Sequence, residues 1–127
     1  MKTGSCLCGA VAFEITGPMK DALACHCSQC RKMTGNYWIS SSVADADLKL
    51  TQQDGLTWFV SSQSAKRGFC KKCGSSLFWK QNGSKTLSVC VGSIDGKSGL
   101  KLEGHIFCDD AGDYYEIAGG AFKKPQS

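Results

Sequence analysis

Seven of the nine cysteines in this 127-residue chain fall into three tight groups, Cys6-x-Cys8, Cys25-x-Cys27-x-x-Cys30 and Cys70-x-x-Cys73. An odd number of cysteines cannot all pair within one chain, and no apolar leader core follows Met1-Lys2-Thr3. The expectation is a cytoplasmic protein in a reducing compartment, where grouped thiols read as metal ligands rather than disulfides. In an extended Cys-x-Cys the two side chains project to one face, so both sulfurs reach one ion. In Cys-x-x-Cys a tight turn does the same, and Gly74 supplies the permissive backbone that the turn requires. Structural zinc is tetrahedral and takes four Cys or His ligands. Cys6, Cys8, Cys70 and Cys73 fill that number and clip the long segment between them.

The middle group supplies three thiols within six residues. Leu23 to Cys27 reads as extended, Ser28 as a helix N-cap, Gln29 to Thr34 as a short helix and Gly35 as its C′ residue. Cys30 then lies in the first helical turn, where free amides favour thiolate over thiol. Three protein ligands with one position free is the arrangement of catalytic zinc. The competing expectation is that Cys90, Cys108 or a histidine closes the shell. Cys90 and Cys108 otherwise read as buried apolar residues. His26, between two ligands, points to the opposite strand face and reads as structural, while His105 is either structural or an acid/base group.

The elements that must position these groups are mostly strands. Val11, Phe13 and Ile15 alternate with small or polar residues until Gly17-Pro18 breaks the run. Further strands are expected at Tyr37 to Val43, Leu48 to Thr51, Leu56 to Ser61, Ser76 to Lys80, Thr86 to Val91 and Leu100 to Phe107, separated by Asp54-Gly55, Asn82-Gly83 and Asp95-Gly96. The expected fold is all-β, mainly β with one short helix, in a single domain over residues 1–127. Trp38, Trp58, Phe59, Phe69, Phe78 and Trp79 are core candidates, with one or two of the aromatics near the middle group, Tyr37 or Trp38, free to wall a pocket. No apolar run is long enough to span a membrane. The formal charge of +4 drops to about +1 once seven thiolates and two Zn(II) are counted, because those sites contribute about −2 and −1. Nucleic acid is therefore not an expected partner.

The series Gly4-x-Cys6-x-Cys8-Gly9-x-Val11-x-Phe13, Cys25-His26-Cys27-Ser28-Gln29-Cys30-Arg31-Lys32-x-x-Gly35, Arg67-Gly68-Phe69-Cys70-Lys71-Lys72-Cys73-Gly74, Gly92-Ser93-Ile94-Asp95 and Gly104-His105-Ile106 resembles the glutathione-dependent formaldehyde-activating enzyme family. The resemblance runs from about residue 4 to 122. It implies a zinc-stapled β-tent of small antiparallel sheets. It also implies structural zinc on Cys6, Cys8, Cys70 and Cys73, and catalytic zinc on Cys25, Cys27 and Cys30. The implied reaction is a carbon–sulfur lyase step, read in reverse as condensation of formaldehyde with glutathione to S-hydroxymethylglutathione. The implied partners are a small thiol such as glutathione and a small aldehyde. Arg31, Lys32 and Arg67 are candidates to orient the thiol's carboxylates. The alternatives are a non-catalytic zinc-stabilised binding module, as in the related centromere protein V branch, or a thiol and zinc redox sensor acting through Cys30.

Metal analysis should return two zinc ions per chain, one of them removed by a mild chelator. Cys70→Ser should unfold the protein, since structural zinc contributes on the order of 10 kcal/mol to folding. Cys30→Ser should keep its circular dichroism spectrum and lose one ion; unfolding of that variant would contradict the division of roles.

Overall fold

The computed structural model describes residues 1–127. The chain runs β1 (Lys2–Ser5), β2 (Ala12–Ile15), β3 (Ala22–Cys25), α1 (Ser28–Thr34), β4 (Trp38–Ala44), β5 (Leu48–Gln52), β6 (Leu56–Val60), β7 (Ala65–Cys70), β8 (Ser76–Gln81), β9 (Thr86–Cys90), β10 (Leu102–Ile106) and β11 (Phe122–Lys123). It is mainly β with one short helix, as the alternation predicts. No helix is long and apolar enough to cross a membrane.

The alternating apolar residues of β2 place Phe13 and Ile15 on one buried face. β1 and β5 flank that strand, giving a three-stranded antiparallel sheet in the order β1-β2-β5. The remaining strands form an eight-stranded sheet in the order β11-β10-β3-β4-β9-β8-β7-β6. Val11, just before β2, and Phe13 and Ile15 from the small sheet meet Val43, Leu77, Phe78 and Val89 from the large one. Phe13 and Phe78 meet edge to face, ring centroids 5.5 Å apart, the arrangement their quadrupoles favour. Cys6 and Cys70 belong to the same buried cluster, so two sulfurs are part of the core.

Four features differ from the sequence-based expectation. The large sheet is mixed rather than purely antiparallel: β10 lies parallel to β3 and to β11. A strand not expected from the sequence, β7, runs through Ala65–Cys70, with Ala65, Arg67, Gly68 and Cys70 all buried. The Cys6-x-Cys8 segment is a turn following β1, not a continuation of it, with Gly9 at φ +82°. Finally, the helix N-cap is Cys27, whose sulfur accepts from the Cys30 N–H; Ser28 is already helical. Gly35 does end the helix, at φ +80°, donating its N–H to the Arg31 carbonyl.

β1 approaches the core because Gly4 has no side chain. A Cβ there would lie 2.4 Å from the Phe13 ring and 2.6 Å from the Ser93 carbonyl oxygen. Gly4→Ala should therefore cost about 1–3 kcal/mol through overpacking, read as a lower denaturant midpoint. An unchanged midpoint would contradict this close packing.

Candidate functional site

The first sulfur cluster forms where two turns face each other. The Cys6 N–H donates to the Val11 carbonyl (2.9 Å), and the Val11 N–H points at Cys6 Sγ (3.3 Å). In the opposing turn the Gly74 N–H, at φ +80°, donates to the Cys70 carbonyl (2.7 Å). The Leu7 N–H donates to Ser75 Oγ (3.1 Å), joining the two turns directly. The result brings Cys6, Cys8, Cys70 and Cys73 sulfurs within 4.8 Å of one another. Cys8 Sγ lies 3.7 Å from both Cys6 Sγ and Cys70 Sγ. A tetrahedron with zinc–sulfur bonds of 2.3 Å has edges of about 3.8 Å, so the donor set and spacing fit a zinc ion. All nine cysteines are free thiols.

Electrostatics within this cluster are uneven. The Ser75 hydroxyl, helped by backbone N–H groups, holds Cys73 down to about 5. At Cys8 the Ala10 N–H favours the thiolate, but desolvation and the neighbouring sulfurs outweigh it and push the thiol up to about 11. Burial opposes ionisation of Cys6, yet the Val11 N–H and the Cys70 and Cys8 thiols pull it below the ordinary value. The cluster is thus a set of acids competing to ionise, which a cation relieves.

The second cluster hangs from the end of β3. There Cys25 pairs with Trp38 of β4 and, on the other side, with Ile106 of β10. The backbone then leaves the sheet, Cys27 caps α1, and Cys30 turns back from the helix, buried at 1% exposure. These three sulfurs also lie within 4.8 Å of one another. No fourth Cys, His, Asp or Glu donor joins them. Donation from Cys25 and Cys30, together with the nearby Arg67 charge, holds Cys27 down to about 2 despite burial. Its bonds to Cys27 and Cys30, with burial, push Cys25 far above the usual thiol range. As at the first cluster, the chemistry of the donor set fits a thiophilic divalent cation.

Beside this trio opens a cavity of about 550 Å³, lined by Cys25, Cys27, Cys30, Arg67, Trp38 and Trp79 among others. Arg67 is only 4% exposed. Its Nη2 donates toward Cys30 Sγ (3.5 Å) and its Nε to Gln29 Oε1 (3.1 Å). Its guanidinium carbon lies 5.8 Å from the Trp38 ring centroid. Gln29 in turn donates to the Ser61 carbonyl (3.0 Å), tying α1 to the β6–β7 hairpin. No Asp or Glu lines the cavity; Arg67 is its one charged side chain.

Of the three cations singled out in sequence, only Arg67 lines the cavity. Arg31 and Lys32 lie on α1 outside it, Arg31 half-buried and Lys32 exposed. Trp38 walls the cavity, whereas Tyr37 packs at a tilt against His26 instead, centroids 4.7 Å apart. His26 and His105 are fully buried and bonded to one another, so neither is a donor to the trio. Cys90 and Cys108 belong to neither cluster, and burial pushes both thiols up. Gln29 and Phe107, both lining the cavity, were not among the site residues expected from the sequence. Gln29 occupies an ordinary first-turn position. Phe107 has a left-handed backbone, φ 55°, that no residue preference announces.

The family model described as glutathione-dependent formaldehyde-activating enzyme matches residues 1–110. An uncharacterized lyase of Schizosaccharomyces pombe is 25% identical over 116 residues, covering 91% of this chain and 84% of that protein. A Halomonas elongata protein named for the same enzyme is 36% identical over 89 residues; the match spans 59% of this chain and about half, 53%, of that relative. Among solved structures, a Rhodobacter sphaeroides protein superposes with a TM-score of 0.63 at 30% identity, covering 75% of this chain and 89% of the other.

Gly55 sits where the arms of the first cluster meet. Its N–H donates to the Ala10 carbonyl (3.0 Å), and its carbonyl accepts from the Lys71 N–H (2.8 Å). A Cβ at Gly55 would lie 2.6 Å from Cys70 Sγ and 2.9 Å from the Ala10 Cβ. Gly55→Ala should therefore weaken metal retention by the four-sulfur cluster, measured as faster loss to a chelator, while Gly35→Ala, far from that cluster, should not. Equal chelator kinetics in wild type and Gly55→Ala would contradict this geometry.

Proposed function

Because the chain belongs to the glutathione-dependent formaldehyde-activating enzyme family, we propose that it is a zinc-dependent carbon–sulfur lyase joining and parting a small thiol and a small aldehyde. Glutathione and formaldehyde are the first candidates. The observation that carries this reading is a three-thiol cluster, with no fourth protein donor, opening on a cavity whose one charged side chain is a buried arginine. The lyase name of the fission-yeast relative agrees with it. In this reading Cys6, Cys8, Cys70 and Cys73 hold a structural ion, and Cys25, Cys27 and Cys30 hold the reactive one. Residues 1–127 then work as one domain, in a reducing compartment such as the cytoplasm that keeps nine thiols free.

A zinc ion held by the trio supplies Lewis acidity, which lowers the pKa of a nearby thiol and polarises a carbonyl. The residues of the chain do the rest. In the synthetic direction the substrate sulfur bonds to the aldehyde carbon and the carbonyl π pair moves to oxygen. That oxygen then takes up the proton that the thiol gave up, so RSH and H₂C=O balance RSCH₂OH. A guanidinium has five N–H donors, and Arg67 commits two of them to Cys30 and Gln29. The remaining three are available to a substrate carboxylate in a bidentate pair. Trp38 and Trp79 form apolar walls that exclude water and strengthen that pairing. Binding both reactants in one cavity removes much of the entropic cost of bringing them together.

Exchange spectroscopy by NMR on mixtures of glutathione and formaldehyde tests the reading. The protein should accelerate adduct interconversion in proportion to its concentration, and rates no faster than in buffer would overturn the assignment. Arg67→Met should weaken glutathione binding about 10- to 100-fold, the loss expected for charge-assisted hydrogen bonds of about 1.5–3 kcal/mol. Arg67→Lys should retain part of it.

A further inference from the structure

Cys25 and Cys27 flank a residue whose side chain does not line the cavity. His26 is fully buried, its ring packed against those of Tyr37 and Tyr115 at centroid distances of 4.7 and 5.5 Å, the two tyrosine rings 5.7 Å from each other. Its Nδ1 lies 2.8 Å from the Tyr115 hydroxyl and its Nε2 lies 2.8 Å from His105 Nδ1. His105 Nε2 in turn faces the Ala118 and Gly119 carbonyl oxygens at 3.0 and 3.1 Å. Carbonyls only accept, so His105 Nε2 carries a hydrogen. With both rings neutral, His105 Nδ1 accepts from His26 Nε2–H, and His26 Nδ1 accepts from the Tyr115 O–H. The chain has one direction, and each ring's rotation is set from both ends.

The backbone is tied to the same strands. The His26 N–H donates to the Ile106 carbonyl (3.0 Å), and the His105 carbonyl accepts from the Lys124 N–H (2.9 Å). The peptide units carrying Cys25 and Cys27 are therefore held by a buried side chain and a main-chain bond acting together. The three sulfurs lie within 4.8 Å of one another with no bond between them, and thiolates that close together repel. Something other than the sulfurs must hold them convergent. We propose that Tyr115, His26 and His105 form a positioning device that fixes the rotation of the Cys25–Cys27 segment, so that its two sulfurs meet Cys30 before an ion arrives. This inference rests on the reading above that the trio binds a metal. His26, His105 and Tyr115 are positioning residues in it, not ligands.

Competitive chelator titration of the full-length protein with Zn(II), and with Co(II) as an absorbing substitute, tests the device. The four-sulfur cluster serves as an internal control. Cys30→Ser identifies which of two bound ions belongs to the trio. Tyr115→Phe keeps the ring and deletes the O–H; His105→Leu deletes both bonds of that ring. Each should weaken the trio's affinity about tenfold, the lower end of the effect of losing an outer hydrogen-bond partner, and leave the other site unchanged. His105→Gln should restore most of the loss, because an amide can accept from His26 Nε2–H and donate to the Ala118 and Gly119 carbonyls. Affinities that do not change in Tyr115→Phe, or that fall in parallel at both sites together with the melting temperature, would overturn the positioning role. A wild-type protein that takes up a single ion would remove the metal reading of the trio and this inference with it. Two ions with an indifferent Tyr115→Phe would remove the inference alone.

Discussion

The constraint on which the rest of the structure depends is the crowding of seven acidic sulfur atoms into two small volumes. Within each cluster the sulfurs lie no more than 4.8 Å apart, a distance at which thiolates repel strongly once desolvated. The folded chain divides the charge unevenly: Cys73 and Cys6 in the first cluster and Cys27 in the second are held low, while Cys8, Cys25 and Cys30 are pushed up. The low members gain from donors already in place, the Ser75 hydroxyl and the neighbouring thiols. A divalent cation removes the competition and lets every sulfur ionise together. The two clusters are therefore legible as chelating sets from their electrostatics as well as from their spacing.

The first cluster also works as part of the hydrophobic core. Cys6 and Cys70 are packed with Val11, Phe13 and Leu77, and Cys8 and Cys70 are separated by 62 positions along the chain. Closing a loop of that length restricts the unfolded chain by about 4 kcal/mol in the entropic picture used for cross-links. The same closure draws the small sheet against the large one, so an ion held by the cluster would reinforce sheet packing and be reinforced by it. The absence of side chains at Gly4 and Gly55 lets the backbones approach closely enough for both.

The second cluster stands in a different electrostatic setting. Arg67 is a buried cation without a carboxylate partner; the one ion pair in the protein, Lys80 with Asp45, is elsewhere. Burying an uncompensated charge is costly. Here the Cys30 sulfur and the Gln29 carbonyl oxygen meet two of the guanidinium's donors, and the cavity leaves the others accessible. The arrangement joins three pieces of sequence, α1, β7 and the end of β3, around one space. A parallel β10 beside β3 adds a fourth, because it brings His105 and Phe107 to the strand end that carries Cys25.

The grouping of cysteines, the Gly-terminated helix after Cys27 and most strands are local properties, and the sequence determined them by itself. Ligand spacing is a matter of a few backbone bonds, and alternation marks a half-buried strand without reference to its neighbours. What it could not reveal depended on partners distant in the chain. Lys66-Arg67-Gly68 carries no strand signal of its own, yet it lies in β7, where a facing helix and a cavity give the arginine somewhere to be buried. The parallel pairing of β10 with β3 leaves no periodic signature, since either direction satisfies the same pattern of apolar residues. Among three cations near the motifs, tertiary structure alone decided that Arg67 lines the cavity and that Arg31 and Lys32 do not, because a side chain's direction follows from how its element docks. His26 shows both sides of the division: its strand parity pointed it away from the sulfurs, but the residues waiting there, Tyr115 and His105, were brought by the fold.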